Sequence, residues 1–271
     1  MCKDMNLTKG LVIGSRKAGT TWLYENFKKD DRISVSHKVK ESGFFSGRMG
    51  DDTFGYENLW VESDTGYRVE VDTSICSSDE AVSRIYQYNR EMKLVLILRS
   101  PAEFLVSRFT HGLRKGEFNS ENIFKAYDET PMFRRELDYP AIVAQYKKFT
   151  DQGNLEIFKY SELTTNPVDF YANVVEALGV ESRSIYEPFS NHVNVARNSK
   201  HPKISQVFSD AAVIARKYGL HRLVNAAKKI GFHSALEQKR NGNESDQLLI
   251  DAEKLIHRSL PETLRFYDSL E

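Results

Sequence analysis

Apolar residues along the chain fall into two patterns. Leu11-Val12-Ile13-Gly14-Ser15 and Lys93–Leu98 (KLVLIL) are short, continuous and partly β-branched. Runs of that kind read as strands, the second as a central strand buried on both faces. Leu155-Glu156-Ile157-Phe158 reads as a third strand. Between these runs, apolar groups recur at helical spacing. Trp22 to Phe27 forms one such stripe, with Thr20 or Thr21 as its N-cap and Asp30-Asp31 at its end. Asp79 to Tyr88 forms another, with Ala81, Val82, Ile85 and Tyr88 on one face. Pro101 sits at a first helical position and opens a helix through about Phe109. Asn166-Pro167 opens a helix that stops at Gly179. Ser245 to Leu270 is mostly helical, interrupted at Pro261. Its Leu248, Leu249, Ala252, Leu255 and Ile256 suit core packing more than a dimer face. Arg114 to Tyr139 reads as an irregular, charged insertion near the site.

Strands alternating with helices predict an α/β fold with a mostly parallel sheet. The expected architecture is a three-layer sandwich of the P-loop nucleotide-binding type, formed by residues 1–271 as one domain. Ligands in such sheets bind at the carboxyl ends of the strands. The turns after Ser15, Leu98 and Phe158 are therefore the places to look.

Composition narrows the function. The 271 residues are 40% hydrophobic and 28% charged, a globular balance. Lys+Arg and Asp+Glu are both 38. A zero net charge disfavours a nucleic-acid module or a coat for polyanions, but allows a local basic pocket. Two cysteines, Cys2 and Cys76, exclude a disulfide framework and a cysteine-rich zinc site. No apolar run approaches the roughly 18 residues of a membrane span, and Met1 to Lys9 lacks an apolar signal core. A reducing cytoplasm is the expected compartment.

The turn after the first strand carries chemistry. Gly14-Ser15-Arg16-Lys17-Ala18-Gly19-Thr20-Thr21 has two glycines with four residues between them, then two threonines. Placed between strand and helix, its backbone N–H groups and the helix N-terminus converge on an anion. A Walker loop has lysine directly after the second glycine. Here that position is Thr20, and the lysine lies inside the loop at Lys17. A Walker B strand ends in a metal-binding Asp, whereas Leu94–Leu98 ends in Arg99. Cations stand where an ATPase offers a carboxylate. A substrate with several anionic groups and no required metal fits better.

These residues resemble the sulfotransferase family. RKAGTTWLY (16–24) resembles the family's 5′-phosphosulfate loop. LVLILRSPAEFLVSRF (94–109) resembles its 3′-phosphate motif, with Arg99, Pro101 and Ser107 in order. VKESGFF (39–45) resembles the Lys-Glu-x-x-Phe-Phe segment of heparan-sulfate-type enzymes, and IFKYSELTTNP (157–167) a further family run. The ordered match spans residues 11–204.

The resemblance implies transfer of a sulfuryl group from 3′-phosphoadenosine 5′-phosphosulfate to an acceptor hydroxyl or amine, without a metal, releasing 3′,5′-adenosine bisphosphate. It implies donor contacts from Arg16, Lys17, Ala18, Gly19, Thr20 and Thr21 on the 5′ side. Lys17 would neutralise charge on the leaving phosphate oxygen. Arg99 and Ser107 would hold the 3′-phosphate, arginine because its planar fork donates two parallel bonds. Trp22 would stack on adenine, and Tyr160 would touch the adenine edge. Glu41 is the expected general base, with Lys40 matching the family's neighbouring lysine. His37 is the rival, since many cytosolic members use histidine. Arg197 and Lys200 are candidate donor contacts from a basic segment that lacks the family's Gly-Arg form.

Val71-Asp72-Thr73-Ser74 stands where heparan-type enzymes have Glu-Lys-Thr-Pro. Thr73 replaces a lysine, which argues against a heparan-like polyanion as acceptor. The aromatic stretch from Phe44 to Tyr67 suits either a pocket for a small molecule or sugar ring, or the core. Two alternatives stand beside transfer: a P-loop kinase with a displaced lysine, and a non-catalytic relative that binds an adenosine bisphosphate.

Overall fold

A computed structural model describes residues 7–60, 66–118, 122–181, 188, 198–199, 237–238 and 242–270. In chain order the elements are β1 (Gly10–Gly14), α1 (Thr20–Phe27), β2 (Ile33–Ser34), α2 (Thr53–Glu57), β3 (Tyr67–Val71), a 3-10 turn (Thr73–Ile75), α3 (Asp79–Tyr88), β4 (Lys93–Leu98), α4 (Pro101–Lys115), α5 (Ile123–Glu129), α6 (Pro131–Leu137), α7 (Tyr139–Gln145), α8 (Lys147–Thr150), β5 (Leu155–Lys159), α9 (Tyr160–Thr165), α10 (Pro167–Ala177), β6 (Asn198–Ser199), β7 (Glu237–Gln238), α11 (Gly242–Ser259) and α12 (Pro261–Asp268).

The chain divides into two compact units. The first holds Met1–Ser100, Arg135–Val193 and Glu262–Glu271; the second holds Pro101–Arg134 and Asn194–Pro261. The first unit contains a five-stranded sheet in the order β2-β3-β1-β4-β5. Every pairing in it is parallel. β1 lies in the middle, with Leu11 opposite Glu70 on one side and Leu94 on the other.

The sheet is covered on both faces. Val12, Val69, Val71, Val95 and Ile97 share one core cluster with Trp22, Leu23 and Phe27 of α1, Leu163 of α9, and Phe170, Tyr171 and Val174 of α10. Side chains alternate along a strand, so Leu94, Leu96 and Leu98 face the other way, and they are fully buried too. This is the α/β sandwich the strand pattern predicts.

The second unit packs α11 against α4 and α5. Leu248, Ala252, Leu255 and Ile256 of α11 are buried, the core use expected of them. Within the unit, the buried Arg108 pairs with Glu117 at 2.8 Å and lies over the Phe133 ring.

Two expectations need correction, and two strands add to the reading. The segment 114–139 is helical for most of its length: α4 runs on to Lys115, and α5 and α6 follow. These short helices show few apolar positions among many charges, so no period emerges from the sequence. Asn122 caps α5 by accepting from the Lys125 amide. Next, the N-cap of α1 is Gly19, at φ 78, with no side-chain cap, rather than Thr20 or Thr21. The loop turns left-handed there, a conformation that suits glycine. Finally, β2 and β3 do not appear in the sequence reading at all.

Candidate active site

The phosphate-type loop joins the middle strand of the sheet to α1. Gly14 ends β1 at φ +148, where an added Cβ would lie 2.9 Å from Cys76 Cβ and Sγ. The Ser15 amide donates to Ile97 O at 2.6 Å, which ties the loop to β4. Lys17 is left-handed, at φ 64. At Gly19 an added Cβ would sit 2.4 Å from Leu163 Cδ2 and 3.1 Å from Tyr160 Cε2. The loop thus passes so close to α9 that only glycine fits.

Arg99, just beyond β4, meets this loop. Its Nη1 donates to Lys17 O at 3.3 Å. Its guanidinium lies over the Tyr160 ring at 4.8 Å from the centroid. Tyr139 fixes the Arg99 backbone by donating its hydroxyl to Arg99 O at 2.7 Å. Arg16 pairs with Glu136 at 3.2 Å. The structure therefore brings Arg16, Lys17, Gly19, Arg99 and Tyr160 together at the carboxyl ends of β1, β4 and β5.

The Lys40-Glu41 segment approaches the same loop. Lys40 Nζ donates to Thr20 Oγ1 at 3.1 Å and lies 3.6 Å from Glu41 Oε1. Thr73, just past β3, donates its hydroxyl to Glu41 Oε1 at 2.7 Å. Burial acts to raise the Glu41 pKa, but the Thr73 hydrogen bond and the charges of Lys40 and Arg16 outweigh it and hold the carboxyl below its ordinary value. Burial lowers the Lys40 pKa, against the pull of Glu41 and Asp72. The result is a carboxylate, a partly desolvated cation and an uncapped helix start in one cluster.

The loop's features fit a multiply anionic ligand. Among the described residues, Ser15 Oγ is buried without a hydrogen-bond partner. Helix α1 begins at its Gly19 N-cap without a side-chain cap hydrogen bond, and the first amides are the anion-binding feature of helix starts. Thr20 and Ala18 are buried beneath the loop, while Thr21 is half-buried.

Other expected residues lie elsewhere. Trp22 is 5% exposed and packs on Phe170 and Tyr171, with an edge contact of 6.1 Å to the latter. That is a place in the core, with no open face for an adenine. His37 is exposed, and among the described residues no hydrogen bond or ion pair links it to the loop. Ser107 is half-buried on α4 in the second unit. Arg197 and Lys200 lie outside the described residues. Phe44, Phe45, Tyr56 and Trp60 are buried against one another and around Tyr88. They form core, whereas Phe54 is 79% exposed.

Sequence reasoning did not find the Thr73 contact to Glu41, the Tyr139 contact to Arg99, or Glu70. Each partner is remote in sequence, and only the sheet order brings the pairs together. Thr73 was singled out as a departure, which was the one available signal.

Comparison with known proteins agrees with this geometry. The Sulfotransferase domain family model matches residues 73–209, just over half of the chain. The match includes Thr73, Arg99, Ser107 and Tyr160; the loop and Glu41 precede it. Human Heparan sulfate glucosamine 3-O-sulfotransferase 5 is 26% identical over 125 residues, covering 44% of this chain. The chain spans 35% of the length of that curated relative. A solved sulfotransferase from Alicyclobacillus acidocaldarius superposes with a TM-score of 0.58 at 16% identity, over 80% of this chain and 95% of that one. That likeness shows a shared fold. The kinase and non-catalytic alternatives gain nothing from these matches. With the family match running over more than half of the chain, from Thr73 through the arginine-tipped strand, the chain belongs to the sulfotransferase domain family.

Proposed function

We propose that the protein moves a sulfuryl group from 3′-phosphoadenosine 5′-phosphosulfate to a hydroxyl or amine of a small-molecule or carbohydrate acceptor. The observation that carries this reading is the meeting of the Lys17 loop, Arg99 and the Glu41-Lys40 pair at one end of the parallel sheet. The donor supplies an activated sulfuryl group and leaves as 3′,5′-adenosine bisphosphate.

In this reading Arg16 through Thr21 bind the 5′ side through backbone amides and hydroxyls, and Arg99 binds the 3′-phosphate. Tyr160, already stacked on Arg99, borders the base. Glu41 takes the acceptor's proton as the acceptor atom bonds to sulfur and the bond from sulfur to the bridging phosphate oxygen breaks. Its lowered pKa keeps it ionised and able to accept a proton at neutral pH. Lys17 stabilises the negative charge left on the phosphate, an effect felt most in the transition state. The reading includes turnover without a divalent metal. A reducing cytoplasmic setting is in keeping with the buried free Cys76.

The test is thermal unfolding in EDTA with 3′,5′-adenosine bisphosphate, against ATP plus Mg²⁺. Ligand at 100 times its Kd stabilises by about 2.7 kcal/mol, a shift of roughly 5–10 °C at this size. A shift with the bisphosphate and none with ATP is expected. The reverse pattern would replace this reading with the kinase one. Glu41→Gln is expected to keep bisphosphate binding and lose most turnover on an acceptor panel.

A further inference from the structure

Strand β3 and the residue that follows it bury three charged residues along one face. Arg68, Glu70 and Asp72 alternate with Val69 and Val71, and each is at most 7% exposed. Arg68 has a clear structural use: it pairs with Glu57 at 3.0 Å and lies over the Trp60 ring. Asp72 caps the turn after the strand, accepting from the Ser74 amide and hydroxyl. Glu70 is different. No cation is within salt-bridge distance of it among the described residues. Its Oε1 accepts from the Ser42 amide at 2.9 Å, and its Oε2 from the Tyr56 hydroxyl at 2.8 Å.

A buried carboxylate without a countercharge destabilises a fold, and an apolar side chain at the same place would not. Burial and the nearby Asp72 raise the Glu70 pKa to about 7, a sign of that penalty. What the carboxylate does in return is hold one backbone amide, and that amide belongs to the residue after Glu41. Lys40, Ser42 and Glu70 line one small cavity with Trp60 and Val71. Tyr56 is itself braced: its hydroxyl meets Thr8 Oγ1 at 3.1 Å and its ring stacks on Phe44 at 4.2 Å. So β3 and the turn after it grip two consecutive residues, Glu41 through Thr73 and Ser42 through Glu70.

We propose that Glu70 is a positioning residue for sulfuryl transfer: anchored by Tyr56, it fixes the backbone at Ser42 and thereby the aim of Glu41. This rests on the reading of Glu41 as the base. A small misplacement of a reacting group is enough to slow a reaction strongly.

The test compares Glu70→Ala, Glu70→Gln and Glu41→Gln for kcat and for bisphosphate Kd. Glu70→Ala is expected to lower kcat about 10- to 100-fold while bisphosphate affinity stays within about threefold of wild type. Glu70→Gln keeps a carbonyl to accept from Ser42 and an amide to donate to Tyr56, and is expected within about threefold of wild-type kcat. Wild-type kcat in Glu70→Ala overturns the proposal. So does a loss of kcat and bisphosphate affinity in step, or a Gln variant no better than Ala. Full turnover in Glu41→Gln instead overturns the base assignment on which the proposal stands.

Should Glu70→Ala not fold, the Ser42 amide resonance serves in wild type and Glu70→Gln. It is expected to titrate in wild type with a midpoint near the Glu70 value of about 7. In Glu70→Gln that titration is expected to vanish, although Asp72, Tyr56 and Lys40 remain around the site. A Ser42 amide that does not titrate in wild type overturns the contact.

Discussion

The Thr73 hydroxyl donates to Glu41 Oε1 at 2.7 Å, joining the end of β3 to a carboxylate 32 residues earlier in the chain. A bond of this kind favours the charged form and lowers a carboxyl pKa. Thr73→Val keeps the shape and removes the donor, so the Glu41 pKa rises. If Glu41 is the base, the acid limb of kcat/KM moves to higher pH, while the rate well above that limb changes little. An acid limb at its wild-type position in Thr73→Val would show that Glu41 ionisation does not govern the rate. The same carboxylate contributes stability above its unfolded pKa and loses it as pH falls through its lower folded value.

Arg99 holds the Lys17 carbonyl and stacks on Tyr160. Hydrogen bonds to charged groups are worth about 1.5–3 kcal/mol. Arg99→Ala is therefore expected to weaken binding of the adenosine bisphosphate about 10- to 100-fold by calorimetry. Arg99→Lys is expected to recover only part of it, since a lysine cannot present the planar fork or the stacked face. Wild-type affinity in Arg99→Ala would remove this residue from the phosphate site.

Gly19 and Trp22 separate loop geometry from core packing. Gly19→Ala meets both a left-handed backbone and the Leu163 side chain. It is expected to lose about 1–3 kcal/mol in denaturant unfolding, and bisphosphate affinity with it. Trp22→Ala opens a cavity between α1 and α10 and is expected to lose about 3–5 kcal/mol. Where it remains folded, its bisphosphate affinity should stay near wild type. A selective loss of affinity in Trp22→Ala at unchanged stability would return the indole to the nucleotide site.

Asp30 ties α1 to α10. Its carboxylate accepts from Arg32 at 2.9 and 2.7 Å and from the Tyr171 hydroxyl at 2.8 Å. Burial acts to raise its pKa, and these bonds more than offset that, leaving it lowered. Its stabilising effect is present above the unfolded pKa and fades as pH falls through the folded one. Asp30→Asn is expected to cost about 3 kcal/mol at neutral pH. Urea unfolding should show the gap to wild type narrowing as pH falls. A constant gap would mean that the carboxylate's charge is not the stabilising element.

The elements legible in the sequence are those whose signals are local. β1, β4 and β5 are apolar runs. α3 begins at Ser78, which accepts from the Ala81 amide, and α10 begins at Asn166-Pro167. The meeting of Lys17, Arg99 and Glu41 at one end of the sheet was legible because loop and strand-end residues travel with short motifs. β3 was not. Its Arg68 and Glu70 look like a solvent face, yet Trp60 and Tyr56 cover them. Trp22 was ambiguous for the opposite reason, since an aromatic beside a phosphate loop suits a nucleotide and a core equally. Its packing on Phe170 depends on a helix some 150 residues away.

β1 and β3 carry the two halves of the site, and their ladder sets the phase between them. Leu11 faces Glu70, Val12 faces Val71, and the Asp72 amide closes the ladder on Val12 O at 3.0 Å. A slip of one residue would turn Glu70 and Asp72 to the α1 side and Val69 and Val71 to the aromatic side. The valines and the buried charges thus select a single alignment, which also sets the span between the Lys17 loop and Glu41. The span from the Lys17 loop to Glu41 is then a property of the sheet.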